Sequence, residues 1–321
     1  MKEFKDKLAV ITGAGTGMGR ELAIKLAAAG CGVAVCDVLM DNLAETVEAA
    51  RKAAPDGTPV TAHECDVSDE SQVLAFRRAV RERHGAETIN LLFNNAGVGG
   101  GGSFILDPRE EWDRVFGIDW FGVYYCTRAF MPMLLSADEG HIINISSING
   151  FWACLGPNIE HTAYSAAKFA VKGFTEALLV DLKLNAPHIK VSLVMPGHIG
   201  TSISFNSPRV LGYPEVEEMT AEDLNRIRGR IARRGIPTDG ITDEALKSFL
   251  QQMRSDFQNN APVSAAEAAD AILDGVRRDQ WRILVGQDAH DLDRLVREFP
   301  EEAYDDSMIQ RIQAAAEARG K

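Results

Sequence analysis

The sequence lacks any long run of hydrophobic residues. No stretch approaches the ~20 consecutive apolar residues that a membrane-spanning helix requires. Its first seven residues, MKEFKDK, also lack the apolar core of an export signal. We therefore expect a protein without a membrane segment, located in the cytoplasm.

Cysteine is scarce, and its positions follow no recognisable spacing. The 321 residues include five cysteines and seven histidines, with neither a Cys-x-x-Cys nor a His-x-x-x-His spacing. A disulfide framework and a metal site therefore both lack support. We expect reduced thiols and no bound metal.

Basic residues are outnumbered by acidic ones. The chain has 34 lysines and arginines against 46 aspartates and glutamates, a net charge of −12. Because nucleic-acid phosphates demand a basic surface, this charge argues against nucleic acid as a partner. Hydrophobic residues make up 45% of the chain, enough for the core of one α/β domain that covers residues 1–321.

Glycine, in contrast, is concentrated near the start of the chain. The stretch TGAGTGMG at residues 12–19 follows an apolar run at 8–11 and precedes a segment of helical periodicity that ends at Gly30. This order predicts a strand, a glycine turn and a helix. A backbone without Cβ atoms can approach a pyrophosphate closely, and free amides at a helix start attract its charge. We interpret the turn as a dinucleotide-binding site, and an ordinary tight turn is the alternative.

An acidic residue follows where a dinucleotide ribose would lie. Asp37 ends the next apolar segment, 32–36, eighteen residues after Gly19. A carboxylate at this place can accept hydrogen bonds from both adenosine ribose hydroxyls and would repel the additional phosphate of NADP. The sequence therefore favours NAD. The alternative is that Asp37 only caps the next helix near residues 41–42.

A tyrosine and a lysine are spaced by one helical turn in YSAAK, residues 164–168. That spacing places Tyr164 and Lys168 on one face of a helix. A free phenol has a pKa of ~10 and is a poor base at neutral pH, but a neighbouring cation lowers that pKa. We interpret the pair as the base of a hydride-transfer reaction on an alcohol. The alternative is a surface pair that gives only weak helix support.

Further motifs follow in order along the chain. They are Asp66-Val67, NNAG at 94–97, the apolar segment IINISS at 142–147, and PGHIGT at 196–201. With the glycine turn and the tyrosine–lysine pair, they resemble the classical short-chain dehydrogenase/reductase (SDR) family over residues 5–201. The resemblance implies a Rossmann-type α/β fold, a doubly wound parallel sheet with helices on both faces. Apolar segments independently predict about seven strands, at 8–11, 32–36, 60–64, 89–93, 141–145, 190–194 and 282–285.

The resemblance also implies roles for individual residues. Tyr164 would be the acid or base, Ser147 would hold the substrate oxygen, and Lys168 would bond the nicotinamide ribose. Ser146 is the competing serine, but the family spacing to a following glycine, here Gly150, favours Ser147. The residues implied to contact the dinucleotide are Gly13, Thr16, Gly17, Met18, Gly19, Asp37, Asp66, Val67, Asn94, Ala96, Gly97, Tyr164, Lys168, Pro196, Gly197, Ile199 and Thr201.

The chain departs from the family pattern at two places. The family usually has an asparagine where this chain has Asp119, and that asparagine helps hold a water linked to the lysine. We expect Asp119 to stay ionised and to act on Lys168 through water, although a purely structural carboxylate is the alternative. The loop between the catalytic serine and tyrosine is also longer than usual. Its residues Phe151, Trp152 and Leu155 are predicted to form an apolar wall of the substrate pocket, or alternatively to pack beneath the loop.

Beyond residue 201 the chain is more individual. Residues 202–262 are predicted to form a lid with amphipathic helices at 219–234 and 243–257. Oligomer contact or surface decoration is the alternative role. The basic run at 226–234 is interpreted as a solvated helix face, with an acidic substrate or subunit as the minority interpretation. A capped helix at 264–277, a strand at 281–286 and a charged helical tail at 291–321 follow. The predicted inner side chains of the lid are Ile203, Phe205, Leu211 and Tyr213.

The leading prediction is an NAD-dependent oxidoreductase that interconverts a secondary alcohol and a ketone, on a moderately large apolar substrate. An NADPH-dependent carbonyl reductase is one alternative. A cofactor-binding regulatory protein without turnover is the other, motivated by Asp119. The family resemblance alone suggests a homodimer or homotetramer.

Overall fold

A parallel sheet forms the centre of the molecule. The computed structural model describes residues 1–154, 159–233 and 235–319. The strands are β1 (Leu8–Thr12), β2 (Gly32–Asp37), β3 (Val60–Glu64), β4 (Leu91–Asn94), β5 (Gly140–Ile145), β6 (Ile189–Pro196), β7 (Ile199–Gly200), β8 (Val263–Ser264) and β9 (Arg282–Val285). Seven of them pair in parallel in the order β3-β2-β1-β4-β5-β6-β9. The seven predicted strands are thus confirmed, and β4 starts two residues later than predicted.

Helices cover both faces of this sheet. They are α1 (Gly17–Ala28), α2 (Met40–Ala53), α3 (Glu70–His84), α4 (Arg109–Phe116), α5 (Gly122–Leu135), α6 (Thr162–Asn185), α7 (Ile203–Val210), α8 (Ala221–Arg233), α9 (Asp243–Asn259), α10 (Ala265–Arg277), α11 (Gln287–Glu298) and α12 (Asp306–Arg319). Successive strand residues point to opposite faces. Ala9 and Ile11 pack in the core that contains α1 and α10, whereas Leu8 and Val10 pack in the core that contains α3 and α5. This three-layer arrangement confirms the predicted doubly wound fold.

The strand order places a crevice at the carboxyl ends of β1 and β4. From β1 the sheet grows through β2 to β3 on one side, and through β4 to β9 on the other. In doubly wound sheets the ligand crevice lies outside the strand ends at this reversal. The glycine turn and the NNAG segment follow these two strands directly.

Two long-range connections shape the region around the crevice. Helices α4 and α5 are joined by a π-helical segment, Gly117–Phe121, so that helical structure runs from residue 109 to 135. Such wide turns are rare in proteins, and those that occur are often found at functional sites. The short strands β7 and β8 pair in parallel, with Ile199 opposite Val263. Residues 202–262 therefore leave and rejoin the body of the molecule at one place.

The lid and the tail are both helical. The lid contains α7, α8 and α9, and α8 and α9 match the two predicted amphipathic helices to within two residues, apart from Arg234, which lies outside the described residues. The tail consists of α11 and α12, separated by a 3-10 turn at Pro300–Glu302. Ser264 caps α10 through a capping box with Glu267, as predicted. Among the described helices none is long and apolar enough to cross a bilayer.

Candidate active site

The glycine turn is packed so closely that side chains at Gly13 and Gly19 would clash with neighbouring backbone atoms. Gly13 and Gly17 have φ angles of 62° and 57°, in the left-handed region that favours glycine. A Cβ at Gly13 would lie 2.6 Å from the Cα of Ala96, and a Cβ at Gly19 would lie 2.3 Å from the carbonyl oxygen of Gly13. The turn therefore packs against the end of β4, and the backbone at the start of α1 stays open to a ligand.

Most of the predicted dinucleotide residues line one crevice. Its lining includes Gly13, Thr16, Gly17, Met18, Asp37, Asp66, Val67, Ala96, Gly97 and Thr201. The same crevice includes further residues that were not predicted as dinucleotide contacts, several of them on helices later in the chain. These are Val38, Leu39, Cys65, Asn95, Val98, Arg114, Ile118, Ile203, Asn206, Ser207 and Val210.

Asp37 is held rigidly at the end of β2. Its Oδ2 accepts a hydrogen bond from the Gly15 amide at 2.8 Å, and its Oδ1 accepts one from the Leu39 amide at 2.9 Å. Leu39 is the N-cap residue of α2, so Asp37 also orders the entry to that helix. The nearby Arg20 is already engaged, because its guanidinium contacts Glu45 and the Gly15 carbonyl.

A charged pair lines the crevice just after β3, the strand next to β2. Arg114 of α4 contacts Asp66 at 2.7 Å and donates to the Ser68 hydroxyl at 2.6 Å. Burial raises the pKa of Asp66, but the hydrogen bonds from Ser68 and Arg114 outweigh it and leave that pKa below its usual value. The motif predicted Asp66. Arg114 comes from a helix 48 positions further along the chain and carried no signal of its own.

The first asparagine of NNAG does not reach the crevice. Asn94 is buried and donates to Thr127 at 2.9 Å and to Asn144 at 2.7 Å, so its amide ties β4 to β5 and α5. Asn95 lines the crevice instead, and its amide donates to the carbonyl oxygen of Gly13 at 2.9 Å. The prediction of Asn94 as a dinucleotide contact is therefore wrong for its side chain, which faces the sheet.

A second cleft brings the predicted catalytic residues together. It is lined by Asp119, Ser147, Tyr164 and Lys168, and also by Met18, Asn95, Gly97, Ile145, Ser146, Pro196, Gly197, Ile199, Thr201, Ile203 and Phe257. Five residues line both this cleft and the crevice, namely Met18, Asn95, Gly97, Thr201 and Ile203. The two spaces therefore join.

The two serines at the end of β5 have different orientations. The Ser146 hydroxyl donates to the carbonyl oxygen of Lys168 at 2.8 Å, which holds α6 against the sheet. The Ser147 hydroxyl accepts a hydrogen bond from the Asn149 amide at 3.1 Å and also bonds the Tyr164 phenol. Ser147 is thus the serine beside the tyrosine, as the spacing argument favoured.

Lys168 and Asp119 form a direct buried ion pair. The lysine nitrogen lies 2.9 Å from Asp119 Oδ1, and the side chains are 4% and 0% exposed. The prediction that Asp119 acts on Lys168 through water is therefore wrong, because the carboxylate and the ammonium are in direct contact. Burial opposes the charge on Lys168, but Asp119 and Tyr164 outweigh it and raise the lysine pKa. Burial likewise raises the pKa of Asp119, and the charge of Lys168 opposes that rise.

The tyrosine pKa also differs from expectation. Burial raises the pKa of Tyr164, Lys168 lowers it, Asp119 raises it again, and the Ser147 hydrogen bond lowers it. The net pKa lies above the ordinary value of a phenol. The predicted lowering by Lys168 is present, but burial and the carboxylate exceed it.

The PGHIGT segment is supported by the tail. Asp288 of α11 accepts a hydrogen bond from the His198 amide at 2.7 Å, and a Cβ at Gly197 would lie 2.2 Å from its carboxylate. The His198 ring contacts the Phe257 ring at 4.5 Å between centroids and bonds the Phe257 carbonyl at 2.7 Å. These contacts place Phe257 of α9 at the cleft. The sequence analysis missed both Asp288 and Phe257 because they lie far along the chain.

Phe151 and Trp152 do not form the predicted substrate wall. Trp152 is 5% exposed, packs against Leu295 and Met308 of the tail, and donates its indole N–H to the Ala303 carbonyl at 2.6 Å. Phe151 packs in the same buried cluster, so neither side chain is among those that line the cleft. Their position matches the alternative of packing beneath the loop. Leu155 lies outside the described residues.

The lid residues also divide. Ile203 lines the cleft, whereas Phe205 lines neither the cleft nor the crevice. Leu211 and Tyr213 line a separate groove with Glu111 and Arg230. The basic run is not simply a solvated face, because Arg230 pairs with Asp107 and Arg228 pairs with Asp243. Across residues 1–154, 159–233 and 235–319, no group of three or more His, Cys, Asp or Glu side chains could hold a metal ion.

A doubly wound α/β sheet with a glycine-lined crevice and an adjoining Ser–Tyr–Lys cleft is typical of nucleotide-dependent oxidoreductases. The family model for short chain dehydrogenases matches residues 7–209. The chain belongs to the short-chain dehydrogenase/reductase family of oxidoreductases.

Relatives and solved structures agree with this assignment. The chain is 33% identical over 320 residues to "Putative oxidoreductase SadH" of Mycobacterium tuberculosis, covering 99% of this chain and 98% of that protein. An SDR from Burkholderia phymatum in complex with NAD is 31% identical, with a TM-score of 0.74 and coverage of 94% and 96%. A metagenomic short-chain oxidoreductase in complex with NADP is 33% identical, with a TM-score of 0.53 and coverage of 60% of this chain and 83% of that one.

Proposed function

We propose that this protein catalyses the NAD-linked interconversion of a secondary alcohol and a ketone. The observation that carries the proposal is the cleft in which Ser147, Tyr164 and Lys168 converge, open to the glycine-lined crevice. A phenol beside a hydroxyl and an ammonium can hold or release one proton at a substrate oxygen. That proton transfer is the acid–base step that such a reaction requires.

Each of these side chains has a defined part. The Ser147 hydroxyl is fixed by the Asn149 amide and would donate its hydrogen bond to the substrate oxygen. The Tyr164 oxygen would exchange the proton with the substrate oxygen. Lys168 would stabilise the phenolate that forms during reduction, and its own position is fixed by the Ile145 carbonyl at 3.2 Å. Without the ammonium, the phenolate would be more costly to form in this buried place.

The crevice fits a dinucleotide. Gly13, Gly17 and Gly19 let the turn pack closely without the clashes that Cβ atoms would cause, and the start of α1 presents free amides to a pyrophosphate. When bound there, a nicotinamide dinucleotide would supply or accept the hydride at the substrate carbon. Asp37 and Asp66, at the ends of the neighbouring strands β2 and β3, would hold the ribose and the adenine.

Asp37 favours NAD over NADP. One related structure holds NAD and another holds NADP, so family membership leaves the choice open. The Asp37 carboxylate is anchored by two backbone amides and would repel a ribose 2′-phosphate. Arg20 is the nearby cation, and its contacts with Glu45 and with backbone carbonyls leave it poorly placed to bind that phosphate.

An apolar substrate fits the remaining walls of the cleft. Ile199, Ile203 and Phe257 line it beside the catalytic side chains. Met253 and Phe249 lie one and two turns before Phe257 on the same side of α9, and Phe249, Met253 and Phe257 are partly exposed at 43%, 51% and 38%. This apolar row leads away from the cleft along the lid, and we propose that it contacts the hydrophobic part of a moderately large substrate.

Turnover with a substrate panel tests the proposal. Absorbance of the reduced nicotinamide would be followed with NAD or NADP and a set of secondary alcohols, and with NADH or NADPH and the matching ketones. We expect turnover with NAD and NADH, and a higher kcat/KM for apolar substrates than for small polar ones. Preference for NADPH would favour the carbonyl reductase alternative. Dinucleotide binding without any turnover would favour a regulatory protein and contradict the proposal.

We also propose that the protein forms a homodimer or homotetramer in the cytoplasm. Helices α5 and α6 and the π-helical segment before α5 present exposed apolar side chains. Among them are Phe121 in the π-helical segment, Tyr124 on α5, and Phe169, Val180 and Leu184 on α6. A second copy of this chain would cover such a surface. The thiols of Cys31, Cys36, Cys65 and Cys126 are not in disulfides, which suits a reducing compartment. Sedimentation of the purified protein tests the assembly, and a monomer at micromolar concentration would contradict it.

A further inference from the structure

The carboxylate of Asp119 touches the lysine that serves the catalytic tyrosine. Its Oδ1 lies 2.9 Å from the Lys168 nitrogen, and its Oδ2 accepts a hydrogen bond from the Val98 amide at 3.4 Å. A Cβ at Gly97 would lie 2.5 Å from Oδ1 and 3.2 Å from the lysine nitrogen. The backbone at Gly97 therefore lies directly against the ion pair. The π-helical segment carries Asp119 into this fully buried position.

Two titratable groups lie near the ammonium, the Asp119 carboxylate and the Tyr164 phenol, and the Ile145 carbonyl also accepts a hydrogen bond from it. The Lys168 nitrogen lies 5.3 Å from the centre of the Tyr164 ring, compared with 2.9 Å from Asp119 Oδ1. At these separations in a buried place, a carboxylate cancels much of the field that a lone ammonium would exert on the phenol. A neutral asparagine at this position would leave that field intact.

Four titratable or polar groups face the phenol among the residues that the structure describes. They are Lys168 from its own helix, Asp119 from the π-helical segment, Ser147 from the end of β5, and the His161 ring, whose centroid is 4.6 Å from that of Tyr164. Burial favours the neutral phenol, and Asp119 adds to that preference. Lys168 and Ser147 favour the phenolate instead. The carboxylate therefore decides how far Lys168 can promote ionisation.

We propose that Asp119 is a positioning residue that takes up the charge of Lys168 and thereby keeps Tyr164 protonated at neutral pH. This inference rests on the proposed function for its consequence in catalysis. A protonated Tyr164 is ready to act as an acid: its O–H bond breaks, the proton passes to the ketone oxygen as the carbon receives hydride, and solvent returns a proton to the phenolate. Ketone reduction is then favoured near neutral pH, while alcohol oxidation, which needs the phenolate as base, requires alkaline solution.

A direct titration of the tyrosine tests the inference without any turnover. The ultraviolet absorbance of the phenolate would be recorded against pH for the protein and for Tyr164→Phe, and the difference isolates Tyr164 from the other four tyrosines. We expect Asp119→Asn to move this transition about one pH unit toward acid, since the substitution removes a nearby negative charge. An unchanged transition in a folded Asp119→Asn protein would overturn the inference.

The controls separate charge from folding. Asp293→Asn removes a carboxylate from another partly buried ion pair, with Arg282, outside the cleft, and should leave the Tyr164 transition in place. Circular dichroism would establish that each variant is folded. If Asp119→Asn does not fold, Asp119→Ser removes the same charge with a smaller side chain and should give the same acid shift.

The rates distinguish this inference from the proposed function. With a working substrate, the pH at which oxidation reaches half its maximal rate should shift toward acid by the same amount in Asp119→Asn. Turnover in both proteins with identical pH profiles would overturn the role of Asp119 and leave the reaction class standing. A shifted tyrosine titration in a protein that turns over no alcohol or ketone would support the role of Asp119 and contradict the proposed function instead.

Discussion

At the scale of single residues, the glycine turn depends on side chains that are not there. Gly19 lies in the first turn of α1, where a Cβ would meet the Gly13 carbonyl at 2.3 Å and the Asn95 amide nitrogen at 2.6 Å. We predict that Gly19→Ala weakens dinucleotide binding at least tenfold and lowers the thermal midpoint, because the neighbouring backbone must shift. Gly173 is the matched control: it is exposed in α6, and a Cβ there would have no neighbour within 4 Å.

Gly173→Ala should instead stabilise the protein by about 0.4–1 kcal/mol, since alanine restricts the unfolded chain and suits a helix better. Fluorescence titration with NAD and thermal unfolding would measure both variants. If Gly19→Ala and the unaltered protein bound NAD equally well, the glycine turn would not be the proposed dinucleotide-binding site.

The structure brings predicted site residues together where they are close in the sequence. Tyr164 and Lys168 lie one helical turn apart, so spacing alone brings them to one face, and the structure places both in the cleft. Asn94 was misassigned because adjacent residues of a strand face opposite sides, and the motif did not tell which one faces the crevice. The direct contact of Asp119 with Lys168 depends on a π-helical turn, which no pattern in the sequence predicts.

At the scale of elements, one ion-pair cluster fastens the lid to the body of the molecule. Arg230 of α8 contacts Asp107, whose side chain is 5% exposed, and lies 3.9 Å from Glu111, which also accepts a hydrogen bond from Tyr213. Loss of the guanidinium would leave buried carboxylates without a charged partner. We predict that Arg230→Ala destabilises the lid by about 1–3 kcal/mol and raises KM for the alcohol severalfold.

Arg226→Ala is the control on the same helix. Arg226 is half-exposed and pairs with Asp223 three residues away, a surface contact worth less than about 1 kcal/mol. Limited proteolysis would measure lid opening, and steady-state kinetics would measure KM. If the two arginine variants were equally resistant to protease and had equal KM values, the cluster would not fasten the lid.

Periodicity predicted the long elements better than the short ones. Helices α8 and α9 follow from their amphipathic pattern, and both appear at their predicted places. The pair β7 and β8 has two residues in each strand, and it exists because Ile199 and Val263 meet across the lid. A two-residue strand carries no periodic signal. The packing of α11 and α12 over Trp152 was not predicted either, because it is a contact between segments that are far apart in the sequence.

At the scale of the whole molecule, we expect a buried histidine, His141, to make the free energy of unfolding depend on pH in acid solution. His141 in β5 is 1% exposed and bonds Ser192 at 2.8 Å, and burial lowers its pKa to about 4. Its unfolded pKa is about 6.5, so between these values the unfolded chain binds more protons than the folded one. We predict that stability is unaffected by this group above pH ~6.5 and falls as pH decreases toward 4, by up to about 1.4 kcal/mol per pH unit.

Urea denaturation at a series of pH values would measure this effect. His141→Gln keeps a polar partner for Ser192 and cannot titrate, so its loss of stability in acid should be smaller than that of the unaltered protein. Parallel curves for the two proteins would mean that His141 does not contribute. His63, whose pKa is also lowered to about 4 by burial, would remain as a second contributor in both.

The global architecture was the most predictable level. Alternating apolar segments and helical periods specify a parallel sheet covered on both faces, because parallel strands need crossover helices. The strand order observed here adds that the glycine turn and the NNAG segment meet at one crevice. What the sequence left open are the contacts between distant segments, which arise only when the sheet is assembled.

The central claim is that the Tyr164 phenol exchanges a proton with the substrate, and one comparison tests it most directly. The kcat of Tyr164→Phe would be measured against the unaltered protein on the best alcohol from the panel, with NAD affinity determined for both by fluorescence. We predict a loss of about 10²- to 10⁴-fold in kcat with NAD affinity within a factor of about three. A Tyr164→Phe protein that binds NAD and oxidises the alcohol at the normal rate would contradict the account.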